Sequence, residues 1–485
     1  MSTFTATSPA TGRPLERVFH AATPQDVHRA CLDAAAAFKH GADDRSRAAL
    51  LREAAAGILG LGDRLLETAS AETGLAIPRL AGERDRTAFT LRTFADLAES
   101  GAWRRECVDA AQPDRTPLPK PSLRRFLLPL GPAAVFGASN FPLAYSTAGG
   151  DTASALAAGC PVVVKGHALH PATGAMVAAV LADAVKKVGA HPGTFSLLPA
   201  GGERDHAVGA ELVAHPAIRA AGFTGSLGGG MALHRLAQAR PDPIPVFAEM
   251  GSVNPVFVLP HAAATQGVPI AERLFASVSN SCGQMCTCPG LIFVPARVGT
   301  ALSDRLATLV RESVAQPMLS HGMRRSFGQR IDACRRVPSV QLAASGQEGS
   351  GDGTFQPVVL LRTDVATFGA NPTLHDECFG PSTIIIECDD VEAMLAATVS
   401  LPGSLAGSIF HAPGDEVDGR RLERVLLGRV GRLVFNGVPT GVEVSPAMVH
   451  GGPYPATNQP HTTAVGAMAI ERWCRPVCVQ NHPGW

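Results

Sequence analysis

The chain has 485 residues, 46% of them hydrophobic and 17% charged, with 42 basic residues balanced by 42 acidic ones. At roughly 100–200 residues per domain this suggests two to four domains, and the apolar content excludes a disordered chain. A formal charge of zero leaves no basic excess for nucleic acid, and no apolar run reaches the ~18 residues of a membrane span.

The start, Met1-Ser2-Thr3-Phe4-Thr5-Ala6, has neither the charge nor the apolar core of a signal peptide, so a cytoplasmic protein is expected. Its 11 Cys, an odd number, read as buried small side chains or reactive thiols rather than a disulfide framework.

Taken in order, the segment up to Arg115 is rich in Ala, Leu and Arg and reads as largely helical. Within Arg45–Leu59, the residues Leu51, Ala54, Ala55 and Ile58 share one helical face. Thr116–Pro121 reads as a Pro-rich linker, and Ser122–Leu130 as an exposed apolar arm. From Gly131 the texture alternates. Ala133–Gly137, Pro161–Lys165, Thr194–Leu198 and Arg219–Phe223 are strand-like; Thr152–Ala158, Thr173–Val188 and Glu203–Ala214 are helical. That alternation predicts a parallel sheet covered on both faces. A second such region holds strands at Pro255–Leu259, Leu291–Val294, Thr383–Ile386 and Leu433–Asn436, with a helix at Ile270–Asn280 and a glycine-rich surface loop at Gln347–Gly353.

Four places could carry chemistry. In Asn280–Gly290 a Cys follows a helix among small residues, where backbone N–H groups can favour a thiolate and an oxyanion. The spacing of Cys282, Cys286 and Cys288 fits no common zinc site, so no metal is expected. In Val246–Ser252 a Glu ends an apolar run, a setting that tunes a carboxylate toward general-base work. Phe223–Gly230 is a strand, a Gly-rich turn and a helix start, which can meet a phosphate but is not GxGxxG. Gly137–Pro142 offers Asn140, either a turn former or an oxyanion donor.

In this order, GASNFP, PVVVK, FTGS, FAEMG, GQMC and ECFGP closely resemble the aldehyde dehydrogenase superfamily, and the likeness runs along nearly the whole chain. It implies an α/β fold with a Rossmann-like cofactor domain (1–120 and 133–250) and an α/β catalytic domain with parallel sheets (251–435). A small β oligomerisation arm and tail (121–132 and 465–485) would complete it, in a homodimer or homotetramer. It implies Cys286 as nucleophile, Asn140 as oxyanion donor and Glu249 as the base that activates water. Lys165 would meet the adenosine ribose, Gly225 and Ser226 the pyrophosphate, and Glu377 and Phe379 the nicotinamide ribose and ring.

NAD-preferring relatives carry a Glu three positions after the lysine; here Ala168 stands there, and His167 and Arg204 resemble phosphate partners of NADP users. NADP is therefore expected to be accepted and preferred, with NAD as the alternative. PSLRR, the segment 149–161, NGVPTGVEV and HGGPYPAT are further similar to alpha-ketoglutaric semialdehyde dehydrogenases, which implies 2,5-dioxopentanoate as the aldehyde. Fatty or other semialdehydes are alternatives, and His461 is a candidate contact for a substrate carboxylate. Two departures stand out: Met285 where relatives carry Phe, and Cys288 where they carry Asn, which would put a thiol near the nucleophile for a local disulfide. The rival from another class is a thiol hydrolase or acyltransferase pairing Cys286 with a His.

Overall fold

The strand–helix alternation that begins near residue 133 closes into a sheet of five parallel strands. In the computed structural model, which describes residues 2–483, their spatial order is Phe195–Leu198, Val162–Lys165, Ala133–Phe136, Ala220–Thr224 and Val246–Glu249. Both faces are covered, as the unbroken apolar strands require. Ala133 and Val135 point into a core shared with helices Asp44–Gly60, Ile77–Ser100, Gly150–Ala158 and Pro171–Lys187. Ala134 and Phe136 point into a core with helices Pro24–His40 and Asp205–Ala214. Leu51, Ala54, Ala55 and Ile58 are all fully buried.

The second sheet has seven strands in the order Gln341–Ser345, Val359–Asp364, Ser382–Cys388, Leu291–Pro295, Val256–Val258, Ser404–Phe410 and Val430–Phe435. It departs from the all-parallel expectation at one edge, where Gln341–Ser345 runs antiparallel to its neighbour. Phe257 and Phe293 stack 4.5 Å apart on one face, while Val256, Ile292 and Ile385 fill the other. A third, antiparallel sheet joins Cys107–Asp109, Leu123–Pro129 and Cys474–Gln480.

Three local readings need correction. The first twenty residues are not helical: Thr3–Thr7 pairs antiparallel with Pro14–His20. The segment TFTAT alternates, and Phe4 packs on Phe19 at 5.6 Å, a period of two that an Ala/Arg-rich reading of the whole segment overrides. Cys107–Asp109 is likewise a strand. The helix expected from Ile270 starts ten residues earlier, at Pro260, with Pro269 inside it, and ends at Ser279.

After Val430–Phe435 the chain returns to the first sheet. Thr457 bridges Glu249, and Asn458 exchanges hydrogen bonds with the Ala248 N–H (2.9 Å) and the Val246 carbonyl (2.8 Å). This covers the open edge of the strand that ends in Glu249.

Candidate active site

Chain order in the five-stranded sheet reverses between Ala133–Phe136 and Ala220–Thr224, and the carboxyl ends of strands at such a switch point are where α/β sheets hold ligands. A cleft of about 860 Å³ opens there, lined by Asn140, Gly225, Ser226, Glu249, Cys286, Glu377 and Phe379 among others. Residues predicted from five scattered motifs thus meet around one cleft.

Cys286 reaches the cleft through a strained turn. Ser281, Cys282 and Gly283 all adopt left-handed φ values (53°, 55° and 63°), costly for the first two. At Gly283 a methyl group would lie 2.3 Å from the Gly380 carbonyl oxygen, so only glycine fits. Asn254, fully buried, donates its amide to the carbonyls of Cys286 and Cys288, each at 2.9 Å, and so clamps the loop. Asn140 donates from Nδ2 to the Gln284 carbonyl at 2.8 Å, which leaves the second amide hydrogen for another acceptor.

The nucleophile candidate has a neighbour the sequence reading did not place. His450 Nε2 lies 3.6 Å from Cys286 Sγ and 2.9 Å from Glu249 Oε1. His450 and Glu249 are both almost fully buried, and Glu249 Oε2 has no hydrogen-bond partner among the described residues. The only sequence signal was His450-Gly-Gly within a motif noted for another reason. Burial pushes the Cys286 thiol well above its ordinary pKa, and the charges of Glu249 and Glu377 push it further. Burial also lifts Glu377 to about 7, against one backbone N–H from Ser252 at 3.2 Å. The sulfur therefore rests as a thiol against the His450 imidazole, which in turn meets the Glu249 carboxylate.

Cys288, two residues on, does not line this cleft. It packs into the core on one face of the seven-stranded sheet and borders a separate small cavity with Cys334 and Cys378. Met285 packs beside that same core together with Val438.

The other wall suits a dinucleotide. Ser226 caps the helix Leu227–Gln238, accepting from the Gly229 N–H at 3.2 Å, and the first turn is exposed to the cleft. Gly228 has nothing within 4 Å of the place a Cβ would occupy, so an anion can approach the helix N-terminus. Lys165 sits at the end of its strand, paired at 2.5 Å with Asp205, which itself lines the cleft. The remaining two cofactor candidates are engaged elsewhere. His167 stacks on His170 at 4.9 Å, and burial keeps it neutral by holding its pKa well below the ordinary value. Arg204 grips Glu211 with two bonds of 2.8 Å and the Ala22 carbonyl with two longer ones.

Residues 1–453 match the aldehyde dehydrogenase family. The chain belongs to that family. This aldehyde dehydrogenase is an NAD(P)-dependent aldehyde oxidoreductase. It is 44% identical to alpha-ketoglutaric semialdehyde dehydrogenase 2 of Azospirillum brasilense over 99% of this chain and 92% of that one. Its identity to the alpha-ketoglutaric semialdehyde dehydrogenase of Acinetobacter baylyi is 45%, over 97% and 89%. Among solved structures, 1-pyrroline-5-carboxylate dehydrogenase from Thermus with bound NAD superposes with a TM-score of 0.84 at 22% identity, covering 99% of this chain and 90% of that one. That likeness establishes the shared fold. No helix among the described residues of the dehydrogenase is long and apolar enough to cross a membrane.

Proposed function

We propose that this aldehyde dehydrogenase oxidises alpha-ketoglutaric semialdehyde (2,5-dioxopentanoate) to 2-oxoglutarate through a covalent intermediate on Cys286. The observation that carries the chemistry is the meeting of Cys286, Glu249 and Asn140 in the cleft, with His450 against both the sulfur and the carboxylate; the substrate is supported by the two relatives of that name. The thiol proton passes to the buried His450–Glu249 pair, and the thiolate attacks the aldehyde carbon to form a thiohemiacetal. The spare hydrogen of the Asn140 amide, with the Cys286 backbone N–H, meets the oxyanion. Lys165, Ser226 and Glu377 would hold the dinucleotide, which when bound would supply the hydride acceptor needed to oxidise the thiohemiacetal to a thioester. Glu249 then takes a proton from water, whose oxygen attacks the thioester; the acid leaves and Cys286 is restored.

The deciding experiment is a substrate panel read as NAD(P)H formation with 2,5-dioxopentanoate, succinic semialdehyde and long-chain aldehydes. The highest kcat/KM is expected for 2,5-dioxopentanoate. A tenfold preference for any other aldehyde would refute the assignment.

Asn140→Ala is expected to lower kcat by about 10²–10³-fold with little change in dinucleotide affinity, the usual cost of losing one oxyanion donor. Single-turnover hydride formation checks it.

The Cys286–His450 contact is also what a thiol hydrolase would need. Ester hydrolysis faster than aldehyde oxidation, and indifferent to dinucleotide, would favour that rival.

On the cofactor, we propose that NADP is accepted as well as NAD. Support comes from Ala168, which offers no carboxylate to repel a 2′-phosphate. The guanidinium of Arg204 is spent on Glu211. Glu211→Gln is therefore expected to raise the NADP-to-NAD ratio of kcat/KM by up to about fivefold, the ~1 kcal/mol of a partly exposed ion pair. Steady-state kinetics with both cofactors measures it.

The sheet formed by Cys107–Asp109, Leu123–Pro129 and Cys474–Gln480 presents Val108 at 66% exposure on a short edge strand. We take this as an assembly surface for a homodimer or homotetramer, to be checked by light scattering at micromolar concentration.

A further inference from the structure

Two half-buried cations converge on the loop that follows the last strand of the seven-stranded sheet. Arg86, from the helix Ile77–Ser100, donates to the Val442 carbonyl and to the Tyr145 hydroxyl, the latter at 3.0 Å. Arg432, from the strand Val430–Phe435, donates to the carbonyls of Pro439 and Gly441. Val438, just before that loop, packs on the same core as Met285, the residue that precedes Cys286.

Tyr145 closes the circuit, its ring 6.4 Å from that of His450, whose Nε2 is 3.6 Å from the sulfur. The Arg432 guanidinium feels the charges of Cys286 and Tyr145, and burial holds its pKa below the ordinary value.

What these two arginines lack is an anion. Arg79, the other cation nearby, is neutralised by Glu83 at 2.6 Å. Among the described residues neither Arg86 nor Arg432 pairs with any carboxylate, and Arg432 Nε is buried without a partner. Each guanidinium has five donors and spends two, all on neutral oxygens. Removing a cation from water without a counter-charge is costly, so such a pair marks a place where an anion is to arrive.

We propose that Arg86 and Arg432 form the anchor for the substrate's carboxylate and so select short aldehydes that end in an acid. This rests on the anionic semialdehyde assigned under the proposed function, and names the residues that would read it. Four C–C bonds of ~1.5 Å place the substrate's carboxylate about 5 Å from the carbon that Cys286 attacks, so its anchor has to lie close to the sulfur. A guanidinium fork matches a carboxylate better than an ammonium does. His461, the earlier candidate for this contact, lines a different cavity beside Leu127 and Glu471.

The test compares kcat/KM for 2,5-dioxopentanoate with that for pentanal, a neutral aldehyde of equal length, in the wild type and in Arg86→Gln, Arg432→Gln and Arg432→Lys. The ratio of the two is expected to fall about 10- to 100-fold in each Gln variant, mainly through KM of the acid, and to recover in part with Lys. An unchanged ratio, even with both activities reduced, would overturn the anchor and leave the arginines as loop supports. If the wild type itself favours pentanal, the substrate assignment fails and the anchor falls with it; a wild-type preference for the acid that survives both Gln variants sinks the anchor alone. Should a variant not fold, the wild type decides through inhibition. Glutarate should compete with the aldehyde, and added salt should weaken it, while glutaramide should not compete; equal inhibition by the two would overturn the proposal.

Discussion

Cys286→Ala is expected to abolish aldehyde oxidation, with kcat falling ~10⁴-fold or more, as when a covalent nucleophile is removed from a unit that acts together. The size follows from geometry. Of the residues lining the cleft, Cys286 is the one thiol, so no neighbour can take over the attack. Cys288 faces the core and Cys282 is buried, with its sulfur against the Gln316 carbonyl at 3.3 Å. Thermal stabilisation by dinucleotide should survive, because the helix N-terminus at Ser226 and the Lys165–Asp205 pair are untouched. Absorbance of the reduced cofactor and a melting curve together check the expectation. Residual turnover within a hundredfold of wild type would show that the sulfur is not the attacking atom.

The second large effect is expected at Glu249. Its carboxylate is 2.9 Å from His450 Nε2, almost fully buried, and one oxygen has no partner among the described residues, which leaves that oxygen for a water. Glu249→Gln keeps the shape and loses the base. Steady-state kcat should drop by about 10²–10⁴-fold while the first turnover still gives one reduced cofactor per site. Rapid mixing would show that burst, and intact mass would show the acyl group retained on Cys286. A loss of the burst itself would place Glu249 earlier, in deprotonating the thiol, and would refute its assignment to thioester hydrolysis.

How much of this was legible beforehand depended on whether the signal was local. The first sheet was readable because AAVF and PVVVK are short, apolar and bounded by Gly or Pro, a signal contained within a few residues of each strand. The residues around Cys286, Glu249 and Asn140 lay inside recognisable short motifs. His450 was missed as a partner because it comes from the returning segment, 164 residues after Cys286, and no periodicity records that approach. Asn254 was missed for a similar reason: a buried side chain clamping two carbonyls more than thirty residues away looks, in sequence, like any turn-forming Asn. Arg204 and His167 show the opposite error. Their residue types suited a phosphate, but Glu211 and His170, each only a few positions on, had already engaged them.

The acidic surroundings of Cys286 have one more effect. A sulfur kept in its neutral thiol form by burial, and further by the charges of Glu249 and Glu377, is a poor target for oxidants and alkylating agents, since those react with the anion. The resting enzyme thereby shields its own nucleophile from stray electrophiles, and an aldehyde-handling catalyst meets such compounds routinely.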